Sequence, residues 1–403
     1  MAPSLSRTLL AACAAPALTL GAFAQAAGET MTVTGTEGTV LMAEALEAFD
    51  GAWAMTFLPD GRALVTEQDG DLWLLGTDGA KLGEISNVPQ VTMRGQGGLG
   101  DIIIHPDFAE NGTVFLSYAE RDPQDDTLSG AAVDKAKLEL TETGGSLTGI
   151  TRIWEQSQKV PGNGHYGHRL AIAPDGNLII TSSERQKFSP AQNMDVNLGK
   201  VVRVTTDGAP LEDNPFYGNG GVAATIWSLG HRNMLGVAFD GDGQLWVHEM
   251  GPAGGDELNL ILKGENYGYP IVSNGEHYNG KQFFGNHEDF PIYENPAASW
   301  TPVISPAGLI IYDGDTFADW QGDAFIGGLS SKALVRVEFE QTPLDNQGSG
   351  GTSSTMETTA NEAERYEWGK RIREVEQGPD GAIYVLEDDA GGRLIRLTPC
   401  SAE

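Results

Sequence analysis

The chain has 403 residues, with 25 Lys and Arg against 56 Asp and Glu and a formal net charge of −31 at pH 7. That length suits one large repeat-built domain or two ordinary ones. So acidic a surface repels phosphate backbones and excludes nucleic acid as a partner class, while a solvated acidic coat accounts for the charge without any binding role.

The first element in chain order is an export signal, residues 1–26. Arg7 gives a positive start, Leu9 to Leu20 is an apolar run, and Ala22-Phe23-Ala24 or Ala24-Gln25-Ala26 offers a small-residue cleavage site. The run is too short to span a bilayer, and no later stretch reaches about 18 uninterrupted apolar residues. The mature part, 27–403, is therefore expected to be soluble, without a membrane span, and periplasmic or secreted. Cys13 falls in the signal, which leaves Cys400 without an internal disulfide partner.

From Thr56 onward one unit recurs: a strand, a turn and a second strand. Pro59-Asp60-Gly61 precedes Ala63 to Thr66. His105-Pro106-Asp107 precedes Thr113 to Leu116, and Pro174-Asp175-Gly176 precedes Leu178 to Thr181. Asp240 to Gly243 precedes Leu245 to Val247, Asp313-Gly314 leads to Asp323 to Ile326, and Pro379-Asp380-Gly381 precedes Ile383 to Leu386. Pro sets φ, Asp caps the turn, and Gly tolerates positive φ. Six copies spread over the mature chain predict an all-β fold, a six-bladed β-propeller with four-stranded antiparallel blades; a pair of β-sandwiches is the next reading. About 63 residues per blade exceeds the roughly 40–45 of a minimal blade, so loops carry the surplus and build the site. Residues 345–364, Gly/Ser/Thr-rich and then acidic, read as a flexible loop.

Motifs for other chemistries are missing. No Gly-x-Gly-x-x-Gly opens a helix after a strand, no Gly-x-Ser-x-Gly elbow occurs, and no His-Glu-x-x-His is present. His165 and His168 lie together but lack cysteine partners, a weak zinc set. Gly230-His231-Arg232-Asn233 pairs a cation with an amide, which suits an anionic, carbonyl-rich ligand. The loop Gly251-Pro252-Ala253-Gly254-Gly255, followed by Asp256 and Glu257, offers the hard oxygens calcium prefers; an ordinary acidic turn is the bland reading. Arg371 and Arg373 share a strand face and suggest an anion, unless Glu374 and its neighbours neutralise them. Gln96 sits in a Gly-rich loop able to approach a ligand closely.

Taken in order, these stretches resemble the soluble quinoprotein glucose dehydrogenases, and more closely their shorter bacterial branch, the aldose sugar dehydrogenases. The residues that carry the resemblance run from Gly95-Gln96-Gly97-Gly98-Leu99 and His105-Pro106-Asp107-Phe108 through His165–Leu170, Leu198-Gly199-Lys200 and Asp213–Phe216. They continue through Gly230–Asn233, Gly251-Pro252, Gly255–Asn259 and Asn266–Pro270 to Arg371-Ile372-Arg373 and Gly378–Gly381.

The resemblance implies pyrroloquinoline quinone (PQQ) bound at one mouth of the propeller, with calcium bridging quinone and protein. It implies that Gly251 and Pro252 offer carbonyls to that ion, and that Glu257 and Tyr267 fall where some relatives hold a second calcium. His165 matches the general base, and Gln96, Arg232, Asn233, Arg371 and Arg373 match quinone-contacting positions. A family lysine aligns with Ser330, and Lys332, two residues on, is expected to replace it across a shared strand face. No family role attaches to His168. The implied reaction oxidises an aldose at the anomeric carbon to a lactone, with a periplasmic cytochrome or quinone as electron acceptor, in a monomer or homodimer. The competing readings are a calcium-dependent lactonase and a non-catalytic binding propeller. Neither needs two converging arginines beside an Arg-Asn pair.

Overall fold

The computed structural model describes residues 28–281, 283–343 and 356–400; the expected signal, residues 1–26, lies outside them. The fold is all-β and propeller-like, built from four-strand antiparallel meanders. One meander runs through Ala52–Phe57, Ala63–Glu67, Leu72–Leu75 and Lys81–Ser86. The next runs through Leu99–Ile104, Thr113–Arg121, Leu128–Thr141 and Gly144–Glu155. A short parallel pairing of Gly145 and Ser146 with Ile85 and Ser86 fuses these two, and Val160–Pro161 along Leu128–Thr141 adds the ninth strand of one sheet. Three separate four-stranded sheets follow, starting at Gly167–Ile172, Asn233–Phe239 and Pro306–Ile311.

The last sheet closes the ring. Ile372–Gln377, Ile383–Glu387 and Ala390–Pro399 take their fourth strand from the other end of the chain, Val40–Asp50, which Thr30–Thr34 extends.

Burial explains the strand sequences. Middle strands are covered on both faces and read as apolar runs: Ala63–Glu67, Leu178–Ser182 and Ile383–Glu387 are buried throughout. Outer strands alternate, as Lys81–Ser86 does. The larger hydrophobic clusters each draw on two successive meanders. Phe115 and Val133 meet Leu178 and Val202, Ile179 and Val201 meet Leu245 and Val247, and Trp246 and Leu258 meet Ile326 and Val335. Phe49, Met55, Tyr384 and Leu394 join the last sheet to the first.

Four of the expected turns form as read. In each, a backbone N–H pairs back across the loop and the glycine takes positive φ: Gly61 at 85°, Gly176 at 81°, Gly243 at 77° and Gly381 at 73°. The other two are longer. Phe108–Asn111 forms a short helix after His105-Pro106-Asp107, and Ala318–Trp320 a 3-10 turn after Tyr312-Asp313-Gly314, its Trp320 stacked 4.5 Å from Phe317.

Part of the expected flexible loop is a strand. Met356–Glu367 pairs along Ala333–Pro343, and the buried Glu364 accepts the backbone N–H groups of Glu37 and Thr39 at 3.2 and 3.0 Å. Polar composition hid this strand because one of its acids, Glu364, is buried against backbone N–H groups rather than facing water. Residues 344–355 lie outside the described residues.

The first strands of the meanders pack side by side around a common axis. Each carries a β-bulge near its start, where pairing to the second strand slips: at Trp53, at Gly100-Asp101, at His168-Arg169, at Leu235, at Gly308 and at Arg373. Bulges re-aim side chains, and three of these, Trp53, Leu235 and Arg373, line one cavity. The Pro-Asp-Gly turns cap the opposite ends of the same strands. The end that carries the repeat signature is therefore not the end that carries the site.

Candidate active site

At the bulged end, a cavity of about 240 Å³ is lined by Trp53, Tyr166, Leu235, Met250 and Leu329 with Gln68, Gln96, Asn233, Arg371, Arg373 and Asp388. Several of these follow the last residue of a second strand directly: Gln68 after Ala63–Glu67, Leu329 after Ala324–Gly328, and Asp388 after Ile383–Glu387. Strand ends and bulges from around the ring thus converge on one space.

Its floor is the axial network. Arg169 stacks over the Trp53 ring at 4.0 Å, pairs with Glu374, and lies 3.6 Å from Asp101. Its Nε donates to the Leu235 carbonyl at 3.0 Å and its Nη2 to the Arg373 carbonyl at 3.3 Å. One guanidinium thereby ties together several bulges. His168 stacks 5.2 Å from Trp53, contacts Ser117 Oγ at 2.8 Å through Nδ1, and is held neutral by burial, its pKa down at about 3. It is a packed histidine of the floor.

His165 is 6 % exposed and lies beside the cavity at φ 49°, a strained conformation for its type. Two contacts fix it. Its backbone N–H donates to Gln96 Oε1 at 2.6 Å, and its Nδ1 lies 2.5 Å from Glu184 Oε1. Glu184 is fully buried. Burial alone would raise its pKa, but the His165 bond, the Phe188 N–H and the Arg232 charge together hold it below the ordinary value. An ionised Glu184 only accepts, so Nδ1 carries the proton and Nε2 keeps its lone pair. Nε2 has no hydrogen-bond partner among the described residues. Burial, opposed by Glu184 and reinforced by Arg232 and Arg185, holds the His165 pKa below its usual value.

Arg185 clamps the loop before His165. The side chain is buried over the Tyr166 ring at 3.7 Å and donates to the carbonyls of Gly164 at 2.9 Å, Gly162 at 2.6 Å and Ser129 at 2.5 Å. Neither Glu184 nor Arg185 was singled out from sequence. The available signal was a charged pair closing the apolar strand Leu178–Ser182.

Arg232 reaches the corner after Leu245–Met250. Nη1 donates to the Met250 and Gly251 carbonyls at 2.6 and 2.8 Å, while Nε is buried without a partner among the described residues. Asn233 Oδ1 is likewise buried and unpaired there. Unpaired buried donors and acceptors are costly, and Asn233 lines the cavity. His231, the remaining polar residue of that motif, is packed between Ser228 and Glu249 at 2.8 and 3.1 Å and stacks on Tyr267.

The two arginines line the same cavity, Arg371 just before the strand and Arg373 at its bulge, but not unpaired. Arg371 Nε lies 2.7 Å and Arg373 Nη2 3.0 Å from Asp388 Oδ2. The expected neutraliser, Glu374, pairs with Arg169 instead. One carboxylate against two guanidiniums leaves a net positive wall.

Lys332 stands apart. Residues 329–332 form a turn between the strands Ala324–Gly328 and Ala333–Pro343, so Ser330 and Lys332 share no strand face. Lys332 is exposed at φ 54° and does not line the cavity.

The Gly251-Pro252 corner gathers carbonyl oxygens tightly: a Cβ on Gly251 would meet those of Gly254 and Gly255 at 2.2 and 2.3 Å. These hard donors suit a cation, and the Arg232 guanidinium already donates to the Gly251 carbonyl at the same corner. Glu257 and Tyr267 converge as expected, but upon His287. Its Nε2 donates to the Tyr267 carbonyl at 3.0 Å, and its Nδ1 lies 3.8 Å from Glu257 Oε1. An imidazole donor stands against the oxygens that a second calcium would need, so this pair does not fit that ion.

Over residues 49–396 the sequence matches the Glucose / Sorbosone dehydrogenase family. It is 34% identical over 358 residues to aldose sugar dehydrogenase YliI of Escherichia coli (strain K12), covering 88% of this chain and 91% of that protein. It is 25% identical over 422 residues to quinoprotein glucose dehydrogenase B of Acinetobacter calcoaceticus, covering 84% and 83%. The solved apo-form of the soluble aldose sugar dehydrogenase from Escherichia coli matches the fold with a TM-score of 0.80 at 34% identity, over 89% of this chain and 100% of that one. The chain belongs to the glucose/sorbosone dehydrogenase family.

Proposed function

We propose that this protein is a PQQ- and calcium-dependent aldose dehydrogenase on a six-bladed propeller, exported to the periplasm or beyond, with His165 as general base. One observation carries the reading: a buried imidazole, fixed by Glu184 with a free Nε2, beside Arg232 and a cavity walled by two arginines.

The cavity suits a flat aromatic polycarboxylate. Trp53, Tyr166 and Leu329 offer apolar walls, Arg371 and Arg373 a surplus of positive charge, and Asn233 and Arg232 unpaired polar atoms. Calcium would be held by the Gly251 and Pro252 carbonyls, a place that requires the Arg232 guanidinium to release Gly251. When bound, the quinone and its calcium would provide a two-electron acceptor for the hydrogen of the anomeric carbon.

The chain's own residues do the rest. Nε2 of His165 takes the proton of the anomeric hydroxyl, and Glu184 stabilises the imidazolium that results. Arg232 lies where negative charge develops on oxygen and stabilises it electrostatically. Arg185 and Gln96 hold the His165 backbone so that the base meets the substrate without reorganisation. Lys332 has no part in this account.

The test is reconstitution. The purified cofactor-free chain is given PQQ and calcium, and dye reduction is followed with glucose and a panel of aldoses. Sugar-dependent reduction that needs both additions supports the reading. Hydrolysis of lactones with calcium alone would replace it with a lactonase.

A further inference from the structure

Two exposed aromatic rings are linked to the base and to Arg232. Phe188 is 45% exposed and Tyr278 79%. Phe188 is held at φ 62°, ψ −86°, a costly conformation for a bulky residue. Glu184 Oε2 accepts its backbone N–H at 2.7 Å, while Oε1 of the same carboxylate holds His165. One buried group thus fixes both the base and the Phe188 ring.

Beneath that ring, Tyr269 lies 6.2 Å away and nearly parallel, and His277 meets it edge-on at 5.8 Å. The Arg232 guanidinium lies 6.0 Å from the Tyr269 ring, and its Nη2 donates to Tyr278 Oη at 3.4 Å. Both exposed rings are therefore tied to the two polar groups that handle the reacting carbon.

Strain spent on exposing a ring calls for a ligand face. The C–H face of a pyranose is flat and apolar, while its hydroxyl edge needs a base and a cation. We propose that Phe188 and Tyr278 form the substrate seat: they stack on the C–H faces of an aldopyranose and turn its anomeric hydroxyl toward His165 and Arg232. The substrate class is then the ring form of aldoses, including the reducing-end ring of short oligosaccharides, since both rings open outward to solvent. This rests on the proposed dehydrogenase function, and names how its substrate is held.

Two readouts test it. In steady state with PQQ and calcium, Phe188→Ala and Tyr278→Ala each raise KM for aldopyranoses by about tenfold, with the loss falling on KM rather than kcat. Phe188→Tyr and Tyr278→Phe, which keep the ring, restore it. On the cofactor-free chain, saturation-transfer NMR with glucose and maltose shows transfer to pyranose C–H protons that falls in both alanine variants. Unchanged KM and unchanged transfer in the alanine variants would overturn the seat, as would wild type showing no transfer. Ring-dependent transfer without any dye reduction would keep the seat and overturn the dehydrogenase function instead.

Discussion

Glu184 Oε1 and His165 Nδ1 lie 2.5 Å apart, both buried at the edge of the cavity. The acid lies just after one strand and the base just before its neighbour, so the contact exists only in the folded sheet. It decides which imidazole nitrogen faces the substrate. It also spends its second oxygen on the loop that carries Phe188.

Glu184→Gln removes the charge that stabilises the imidazolium and leaves one amide to satisfy several N–H groups. kcat for aldose oxidation is expected to fall by about 10²-fold or more, with quinone affinity within about twofold. Steady-state kinetics with a parallel absorbance titration separate the two. Equal losses in both would point to a damaged fold rather than a disabled base.

The base works as neutral imidazole, and burial with Arg232 and Arg185 holds its pKa below the usual value. Lowering that pKa keeps the proton-accepting form populated at more acidic pH. The acidic limb of kcat/KM is therefore expected at a midpoint below about 6.5. In Glu184→Gln the limb moves lower still, because the carboxylate raises the His165 pKa. A wild-type limb centred above 7 would contradict this assignment.

Arg371 and Arg373 share Asp388 and keep a net positive charge toward the cavity. Replacing either with Met is expected to weaken PQQ binding by about tenfold or more. The larger loss is expected at Arg373, whose side chain is 11% exposed against 39% for Arg371. Titration of the cofactor-free variants, read by quinone absorbance, measures it. The affinity of wild type should also fall with salt.

Deeper on the axis, burial and the neighbouring Glu374 and Asp101 push Glu376 up to about 8. Its folded pKa thus lies above its unfolded value, so the folded state holds a proton that the unfolded state has lost. Stability from this group is present at low pH and lost as pH rises from about 4.5 through about 8. Glu376→Gln should therefore melt near wild type at about pH 4.5 and above it at about pH 8.5. A variant less stable than wild type at pH 8.5 would show that the carboxylate is paired rather than merely buried.

Much of this was legible in the chain. The turn signatures mark strand pairs because Pro, Asp and Gly act locally, and Gln96, Asn233, Arg371 and Arg373 line one cavity, with His165 bonded to Gln96 at its edge. What was hidden is non-local. The partners Glu184 and Asp388 follow no spacing rule, since they meet His165 and the arginines only across the ends of neighbouring strands in the folded sheets. The bulge at Arg373 breaks a strand's period of two without any residue signal, and the turn at 329–332 defeats the strand-face argument for Lys332. Strand Met356–Glu367 reads as polar loop because the burial of Glu364 depends on backbone groups more than three hundred residues earlier.

The most direct test of the central claim is one turnover of His165→Ala loaded with PQQ and calcium. Bound-quinone absorbance is followed by stopped flow after aldose is added. The variant is expected to bind quinone as wild type does and to reduce it at least about 10²-fold more slowly. Reduction at the wild-type rate would show that His165 is not the base, and that the proton leaves by another route.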